Sequence, residues 1–199
     1  MDADGWNQRY AGKEFVWSVE PNRFVAELTA GLSPGRAIDL AGGEGRNGVW
    51  LATRGWDATV VDFSQAGIDK VSTLAEAEGV SVTTICADLT EWSPEPDAYD
   101  LVLHVYLHLP ADQRAQVYAA AVAAVAPGGH FVLIGHDRSN VENGYGGPPY
   151  PEILATPTEV VDALDGFEVI RAEVAERPVQ TDDGERIALD TLVMARRSG

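Results

Sequence analysis

A glycine-rich turn directly after a short apolar run is the feature that most limits how this chain can fold. Residues 37–40 are apolar apart from Asp39, the turn Ala41-Gly42-Gly43-Glu44-Gly45 follows at once, and residues 49–52 have the composition of a helix. Strand, glycine turn and helix in this order form the crevice at which an open α/β sheet binds a nucleotide-like ligand. Glycine has no Cβ, so the backbone can bend tightly and approach that ligand closely. The segment therefore predicts a site for an adenosine-containing molecule.

The composition is that of one ordinary globular domain. The chain has 199 residues, of which 45% are hydrophobic and 23% charged. No apolar run is long enough to span a bilayer, and the beginning of the sequence, Met1-Asp2-Ala3-Asp4, is unlike a secretory signal. We therefore expect a cytoplasmic protein with no membrane partner. The single cysteine, Cys86, lies in an apolar run and is expected to be a small buried hydrophobe, not a catalytic thiol.

The chain is strongly acidic, with a formal net charge of -17. A field of this sign repels phosphate backbones and anionic lipid surfaces, so we expect no nucleic-acid partner. The acidic residues are dispersed along the sequence, which is typical of a solvated surface. The charge therefore does not identify a substrate.

Apolar runs and helical segments alternate along the chain, which predicts an α/β fold with a doubly wound, mostly parallel sheet of seven strands in a single domain. Strands are expected at 36–40, 58–63, 82–87, 100–105 and 130–135. Helices are expected over about 21–31, after the first strand and its glycine turn to about 54, and over 111–126. Two further helices are expected with Ser64 and Thr156 as N-caps, the first to 78 and the second to about 165. Pro21 is assigned to the first helical turn.

Two β-rich runs, 167–176 and 186–195, flank an Asp-Gly turn near the end of the chain, which predicts an antiparallel hairpin. Residues 1–35 are expected to form an N-terminal arm and helix that can act as a lid, rich in the aromatic residues Trp6, Tyr10, Phe15 and Trp17. Residues 36–199 are expected to form the ligand-binding domain.

The glycine turn leaves the identity of the ligand open at first. Residues 43–48 satisfy the dinucleotide pattern G-x-G-x-x-G, and Asp62 at the end of the second strand suits the ribose of NAD or of another adenosine ligand. However, Asp39 lies just before the glycines, where its charge repels a pyrophosphate and attracts a cationic group. Asp88 ends the third strand, where its carboxylate can accept from an adenine amino group. The predicted nucleotide fold leaves no residues for a separate substrate domain. Dehydrogenases usually have such a domain.

These motifs together resemble the class I S-adenosylmethionine-dependent methyltransferases over about residues 20–197. The resemblance is carried by the segments 39–45, 61–62, 87–89, 99–102 and 126–129. Shorter segments at 6–10, 21–24, 46–47 and 106–110 are similar to the small tellurite-resistance and thiopurine branch of that family. Ala41 departs from the family pattern, which has glycine there, and alanine suits this position on the condition that its φ is negative. The short link between the third and fourth strands is a second departure.

The resemblance implies S-adenosyl-L-methionine as cofactor and a particular set of residues around it. The cofactor-binding residues would be Asp39, Ala41, Gly43, Gly45, Arg46, Asp62, Phe63, Ala87, Asp88, Leu89 and His104. The segment from Asp39 to Gly43 would line the methionine part, and Arg46 could pair with its carboxylate or be a surface cation. Asp39 has a competing role as an acceptor for the turn's own N–H groups. Phe63 could pack on adenine or belong to the core.

The methyl acceptor is expected at the ends of the fourth and fifth strands, where open α/β sheets bind ligands. A hydroxyl acceptor needs a base, whereas a thiolate or a chalcogen anion does not. His136 is the main candidate for that base and His108 the second, although residues 136–138 could instead anchor the following loop. Substrate-pocket candidates are Trp17, Tyr106, Asp137 and Tyr145. A metal site of His104, His108 and His136 is disfavoured, since Pro110 and the preceding strand oppose a helix there.

Three functions remain open at this point. The first is a methyltransferase for a small molecule such as a thiol, a phenol or a chalcogen oxyanion. The second is a module that binds S-adenosylmethionine without turnover, and the third is an NAD-dependent oxidoreductase that uses residues 43–48. Both a monomer and a homodimer are compatible with the sequence.

Overall fold

The computed structural model describes residues 3–12 and 14–199, so Met1, Asp2 and Lys13 of the expected arm lie outside the described part. Seven strands form one sheet in the order β3-β2-β1-β4-β5-β7-β6. The strands are β1 Arg36–Leu40, β2 Asp57–Asp62, β3 Thr83–Cys86, β4 Tyr99–Val105, β5 Val125–His136, β6 Phe167–Thr181 and β7 Gly184–Arg197. β1 to β5 are parallel, and β7 runs antiparallel to both β5 and β6. The predicted fold class and the terminal hairpin are confirmed.

Besides a short 3₁₀ helix at Pro151–Ile153, seven α-helices connect and flank the described strands. They are α1 Ala3–Tyr10, α2 Arg23–Thr29, α3 Arg46–Thr53, α4 Gln65–Ala77, α5 Ala111–Ala124, α6 Asn140–Asn143 and α7 Pro157–Val161. Alternate residues of each central strand enter one of two apolar clusters. Ile38 and Leu40 pack against α5 residues on one face, whereas Ala37 packs with residues of α2 and α3 on the other. Because parallel strands are covered on both faces, their carboxyl ends meet at one open edge of the sheet.

The helix ends agree with the predicted caps in two places and differ in one. The Ser64 side chain accepts a hydrogen bond from the Gly67 N–H, and Thr156 forms a capping box with Glu159. α2 starts two residues later than expected, because the Asn22 side chain caps it by accepting from the N–H groups of Phe24 and Val25. Pro21 therefore precedes the helix and does not lie in its first turn.

Several boundaries differ from the sequence-based expectation. α5 ends at Ala124 and β5 begins at once with Val125, because the strand continues through a register shift opposite Tyr99. α7 ends at Val161, before the expected end at about 165. β6 continues to Thr181 and β7 begins at Gly184, so the terminal hairpin is longer than expected. α1 was not predicted, since its eight residues have no clear apolar period. A side-chain contact holds it, because Asn7 accepts hydrogen bonds from the Ser64 hydroxyl and the Ala66 N–H.

The expectation that Cys86 is buried is wrong. Its side chain is exposed, with the sulfur 3.6 Å from the Phe63 carbonyl oxygen. The reason is topological, since β3 pairs only with β2 and forms one edge of the sheet. An apolar run on an edge strand is covered less completely than the same run on a central strand.

Ala41 also departs from the expected conformation. Its φ is 56°, in the left-handed region that favours glycine, so the condition of a negative φ is not met. The turn from β1 towards α3 requires this conformation, because Gly43 and Gly45 on either side of Glu44 also have positive φ values of 58° and 87°. The alanine Cβ therefore adds strain to the turn.

The change Ala41→Gly should stabilise the protein. Removing the Cβ relieves a left-handed strain of about 1 kcal/mol, partly offset by the greater entropy of glycine in the unfolded chain. Urea unfolding followed by circular dichroism measures the free energy of unfolding. The matched change Ala52→Gly within α3 should lower this free energy by about 1 kcal/mol. Equal destabilisation by the two changes would contradict a strained Ala41.

Candidate active site

The glycine turn is closed by the carboxylate at the end of the neighbouring strand. Asp62 is the last residue of β2, and its Oδ2 accepts from the Gly43 N–H at 2.9 Å while its Oδ1 accepts from the Ser64 N–H at 2.9 Å. Burial raises the pKa of Asp62, and these backbone donors act against that rise. The carboxylate thus ties the turn after β1 to the N-terminus of α4.

Asp39, at the end of β1, lies beside this turn without a partner. Its side chain is buried, and neither carboxylate oxygen forms a hydrogen bond with any residue of the described chain. Burial raises the pKa of Asp39 to about 7, while the neighbouring Gly48 N–H and Arg46 oppose that rise. A Cβ at Gly42 would come within 2.9 Å of the Asp39 Oδ2. A buried carboxylate without a donor is costly, so this arrangement is suited to a ligand that donates to it.

Arg46 supplies the opposite charge at the same place. It is the first residue of α3 and is partly buried, and none of the described residues forms a hydrogen bond or ion pair with its guanidinium. Burial lowers its pKa, and the charges of Tyr106 and Asp39 counteract that effect. The guanidinium is therefore available to a carboxylate of a ligand.

The residues predicted around adenine lie together at the ends of β2 and β3. Phe63 is partly buried and lies outside the three apolar clusters of the described residues, so it is not part of the core. Leu89 is buried in the cluster on the α5 face, and Ala87 packs against that cluster. Asp88 is exposed, and its Oδ1 accepts from the N–H and the hydroxyl of Thr90.

The N-terminal arm is fastened over the glycine turn by Glu44. This carboxylate is buried and accepts hydrogen bonds from the N–H groups of Val16 and Trp17 and from Lys70 Nζ at 2.7 Å. Tyr10 of α1 lies over Gly43, where an added Cβ would be 2.9 Å from the Tyr10 hydroxyl. The Trp17 indole donates to that hydroxyl at 3.3 Å. The arm thus covers the place where the methionine part of the cofactor is expected.

A second polar cluster lies where the carboxyl ends of β4 and β5 meet the middle of β7. Tyr106 follows β4 with a φ of 56°, and its hydroxyl donates to the Asp190 Oδ2 at 2.7 Å. Arg177 Nε donates to the same oxygen at 2.6 Å. His136 Nδ1 lies 3.3 Å from the Asp190 Oδ1. His136 is paired with Asp190 in the sheet, so the two side chains lie on the same face.

The other two predicted histidines have different surroundings. His108 accepts a hydrogen bond through Nε2 from the His136 N–H at 3.1 Å, and burial together with His136 lowers its pKa to about 3. His104 is buried on the face of α5, with its ring edge-to-face against Tyr118 at 5.1 Å. Burial lowers the pKa of His104 to about 4, and neither ring nitrogen has a hydrogen-bond partner among the described residues. The sheet therefore separates His104 from the predicted methionine site.

Two substrate-pocket candidates lie elsewhere. Asp137 is buried, and it accepts from the N–H and hydroxyl of Ser139 and from the Thr191 hydroxyl, so it anchors the turn after β5. Tyr145 is exposed and lines a separate cavity between the loop after α6 and the hairpin turn at Asp182. The structure therefore brings Tyr106 and His136 together but not Tyr145.

The described part of the chain, residues 3–12 and 14–199, contains no group of three or more His, Cys, Asp or Glu side chains that could hold a metal ion. In the same ranges, every helix is too short or too polar to cross a membrane.

Sequence reasoning missed Glu44, Asp190 and Arg177. Glu44 stands inside the glycine turn, and its partners come from residues 26 to 28 positions away, so no local pattern identifies its role. Asp190 and Arg177 lie on the hairpin strands, where charged residues usually face solvent. The one available signal was that Asp190 is an acidic residue shortly before the apolar run 192–195 of a predicted strand.

The chain is similar to known methyltransferases. Residues 37–129 match the family model described as a methyltransferase domain. The tRNA 5-carboxymethoxyuridine methyltransferase of Escherichia coli is 34% identical over 117 residues, which are 57% of this chain and 44% of that protein. The chain thus spans less than half the length of this relative.

Two solved structures share the whole fold. TehB from Haemophilus influenzae has a TM-score of 0.75 at 17% identity, covering 99% of this chain and 67% of that one. Magnesium protoporphyrin IX methyltransferase (ChlM) from Synechocystis PCC 6803, with bound S-adenosylhomocysteine, has a TM-score of 0.70 at 17% identity, covering 98% and 94%. These findings confirm the class I methyltransferase fold. They also support the predicted enzyme class and its cofactor, S-adenosylmethionine.

The raised pKa of Asp39 leads to a pH-dependent prediction. Between about pH 4 and about pH 7 the carboxyl ionises in the unfolded chain but stays protonated in the folded one, so stability falls as the pH rises. Asp39→Asn cannot ionise. Its free energy of unfolding relative to the parent should therefore rise by up to about 4 kcal/mol between about pH 4 and about pH 8 without ligand. Urea unfolding of both proteins at the two pH values measures this difference in free energy. If the difference between Asp39→Asn and the parent is the same at both pH values, Asp39 is not protonated in the folded protein.

Proposed function

We propose that the protein is an S-adenosylmethionine-dependent methyltransferase whose acceptor is a small molecule. One observation carries the proposal. The buried, unpartnered carboxylate of Asp39 and the guanidinium of Arg46 lie at the carboxyl end of β1 and influence each other electrostatically. The methionine part of the cofactor has an ammonium and a carboxylate, so each of its charges meets the opposite one. A dinucleotide would instead place its anionic pyrophosphate at the glycine turn beside Asp39.

The remaining cofactor residues fit the same placement. Asp62 would hold the ribose, because a carboxylate has about four lone-pair sites and two are used by backbone N–H groups. Asp88 and Leu89 would hold adenine, with Phe63 against the ring and Ala87 beside it. Glu44 would keep the described part of the N-terminal arm closed over the bound molecule, and this part would open to admit it. When bound, the cofactor supplies a methyl group on a sulfonium.

The proposed acceptor lies beside the Tyr106 and His136 rings, whose centroids are 5.0 Å apart. The His136 side chain is 13% exposed and Asp190 is fully buried. This side of the site is therefore enclosed, which favours a small acceptor over a large one. The net charge of -17 also acts against a polyanionic acceptor. The similarity to a tRNA methyltransferase favours tRNA as the second candidate acceptor. The local motifs, with the fold shared with TehB, support the tellurite-resistance and thiopurine branch as the subgroup.

The binding of S-adenosylhomocysteine tests the cofactor site. Calorimetry should show binding of this ligand and a raised melting temperature, with no effect of NADH. Arg46→Gln should weaken binding by about tenfold or more, since a charge-assisted hydrogen bond contributes about 1.5–3 kcal/mol. Arg54→Gln, at the other end of α3, is the matched control and should leave affinity unchanged. Stabilisation by NADH alone would favour the oxidoreductase, and an unchanged affinity of Arg46→Gln would remove Arg46 from the site.

The acceptor site is tested by transfer of a labelled methyl group to a panel containing phenols, thiols, chalcogen oxyanions and bulk tRNA. With a phenol, His136→Gln should lower turnover by roughly 10²-fold or more, because general-base catalysis is lost. Its affinity for S-adenosylhomocysteine should stay the same. His130→Gln, in the middle of β5, serves as the control.

Each result of this panel has a defined meaning. Labelling of tRNA alone would replace the small-molecule acceptor with a nucleic acid. Binding without transfer to any acceptor would support the non-catalytic module. Equal turnover by His136→Gln and the parent would end the role of His136 as base.

A further inference from the structure

The Asp190 carboxylate is the centre of a buried cluster in which three side chains converge. Its relative exposure is 0%, and it accepts from the Tyr106 hydroxyl at 2.7 Å and from Arg177 Nε at 2.6 Å. His136 Nδ1 lies 3.3 Å from the other oxygen as an ion-pair contact without hydrogen-bond geometry, and no described residue is a hydrogen-bond partner of this nitrogen. Burial alone would raise the pKa of Asp190, but His136, Arg177 and Tyr106 together hold it below its usual range. The carboxylate is therefore ionised.

This cluster lies next to the proposed cofactor site. Asp190 lies two residues from Leu192, which belongs to the apolar cluster on the face of α2 and α3. Residues two apart in a strand point to the same face, so Asp190 lies on the face of Leu192. Asp39 is two residues from Ala37, which belongs to the same cluster, so Asp39 lies on this face as well. Tyr106 and Arg177 both act electrostatically on Arg46. The Asp190 cluster and the Asp39–Arg46 pair thus form one continuous polar edge of the sheet.

The loop after α6 packs its backbone against the His136 ring at a glycine. Gly147 lies against this ring, and a Cβ at that position would come within 2.6 Å of Cδ2 and 2.9 Å of Nε2. Its φ of 76° also favours glycine. The ring therefore has Asp190 on its Nδ1 side and the Gly147 backbone against its Cδ2 side, and its side chain remains 13% exposed.

We propose that Asp190 is the positioning residue of the acceptor site: it holds His136 with the proton on Nδ1, so that Nε2 can take a proton from a hydroxyl or thiol acceptor. The inference rests on the proposed function and narrows its substrate class to molecules that carry an X–H group. A preformed chalcogen oxyanion has no such proton to give. The neutral, buried His104 and His108 also supply no charge to bind an oxyanion.

The proton and electron pairs balance in this arrangement. The acceptor's lone pair forms the bond to the methyl carbon, the methyl–sulfur bond breaks with its electron pair on sulfur, and the acceptor's proton passes to Nε2. The imidazolium that results is stabilised by the Asp190 carboxylate, as a buried carboxylate does for a catalytic histidine in general. Three groups contact the ring directly: Asp190 from β7, and Tyr106 and His108 from the segment after β4. Arg177 from β6 acts on the ring indirectly, because it donates to Asp190.

The tautomer of His136 tests the proposal without any acceptor. The chain contains four histidines, so long-range ¹H–¹⁵N spectra of the protein labelled at histidine can be assigned from His→Gln variants. With S-adenosylhomocysteine present, neutral His136 should carry its proton on Nδ1. In Asp190→Asn the Nε2–H form should increase, while Glu176→Gln, an exposed carboxylate next to Arg177, should give the parent spectrum.

The outcomes separate this inference from the proposed function. An Nε2–H tautomer in the parent protein would overturn the role of Asp190, even if Asp190→Asn does not fold. An unchanged tautomer in a folded Asp190→Asn would do the same. If S-adenosylhomocysteine does not bind, the proposed function fails, whereas the tautomer can still be read in the protein alone. In the methylation panel, oxyanions methylated faster than phenols and thiols would contradict the narrowed substrate class.

Discussion

The hydrogen bond from the Gly43 N–H to the Asp62 carboxylate is the contact on which the site depends. It joins the turn after β1 to the end of β2, and through the Ser64 N–H it also joins the start of α4. A turn with three left-handed residues has little stability of its own, so an anchoring acceptor is required. With the turn fixed, Asp39 and Arg46 are held side by side.

Two buried carboxylates on this edge have opposite environments, and the contrast defines their roles. Neither Asp39 oxygen forms a hydrogen bond among the described residues, and burial raises its pKa to about 7 although the nearby Gly48 N–H acts against this rise. Asp190 has donors from Tyr106 and Arg177, with His136 close by, and its pKa is lowered. The first carboxylate is suited to a donor brought by a ligand, whereas the second organises side chains of the protein itself. In the proposed function, Asp39 thus serves cofactor binding and Asp190 serves proton transfer by His136, at neighbouring places on one edge of the sheet.

Much of the fold follows from local pattern. The glycine turn, the order of strands and helices, the Ser64 and Thr156 caps and the terminal hairpin were all predictable, because each depends on residues close in the sequence. The errors have a common physical cause. Cys86 is exposed because β3 lies at the sheet edge, Ala41 is left-handed because the turn requires it, and α1 forms because Asn7 contacts α4. Each depends on neighbours that are distant in sequence.

For the site, the sequence by itself determined the residues of the glycine turn, Asp39 before it and the acidic residues that end β2 and β3, since these follow directly from a strand–turn–helix pattern. Only the tertiary structure decided that Asp39 lacks a partner, that Glu44 holds the arm, and that Asp190 meets His136 and Tyr106. Tyr106 and Asp190 are 84 residues apart. Their contact arises because β7 runs antiparallel beside β5 and places its first half next to the carboxyl ends of the parallel strands, a pairing that no local pattern specifies.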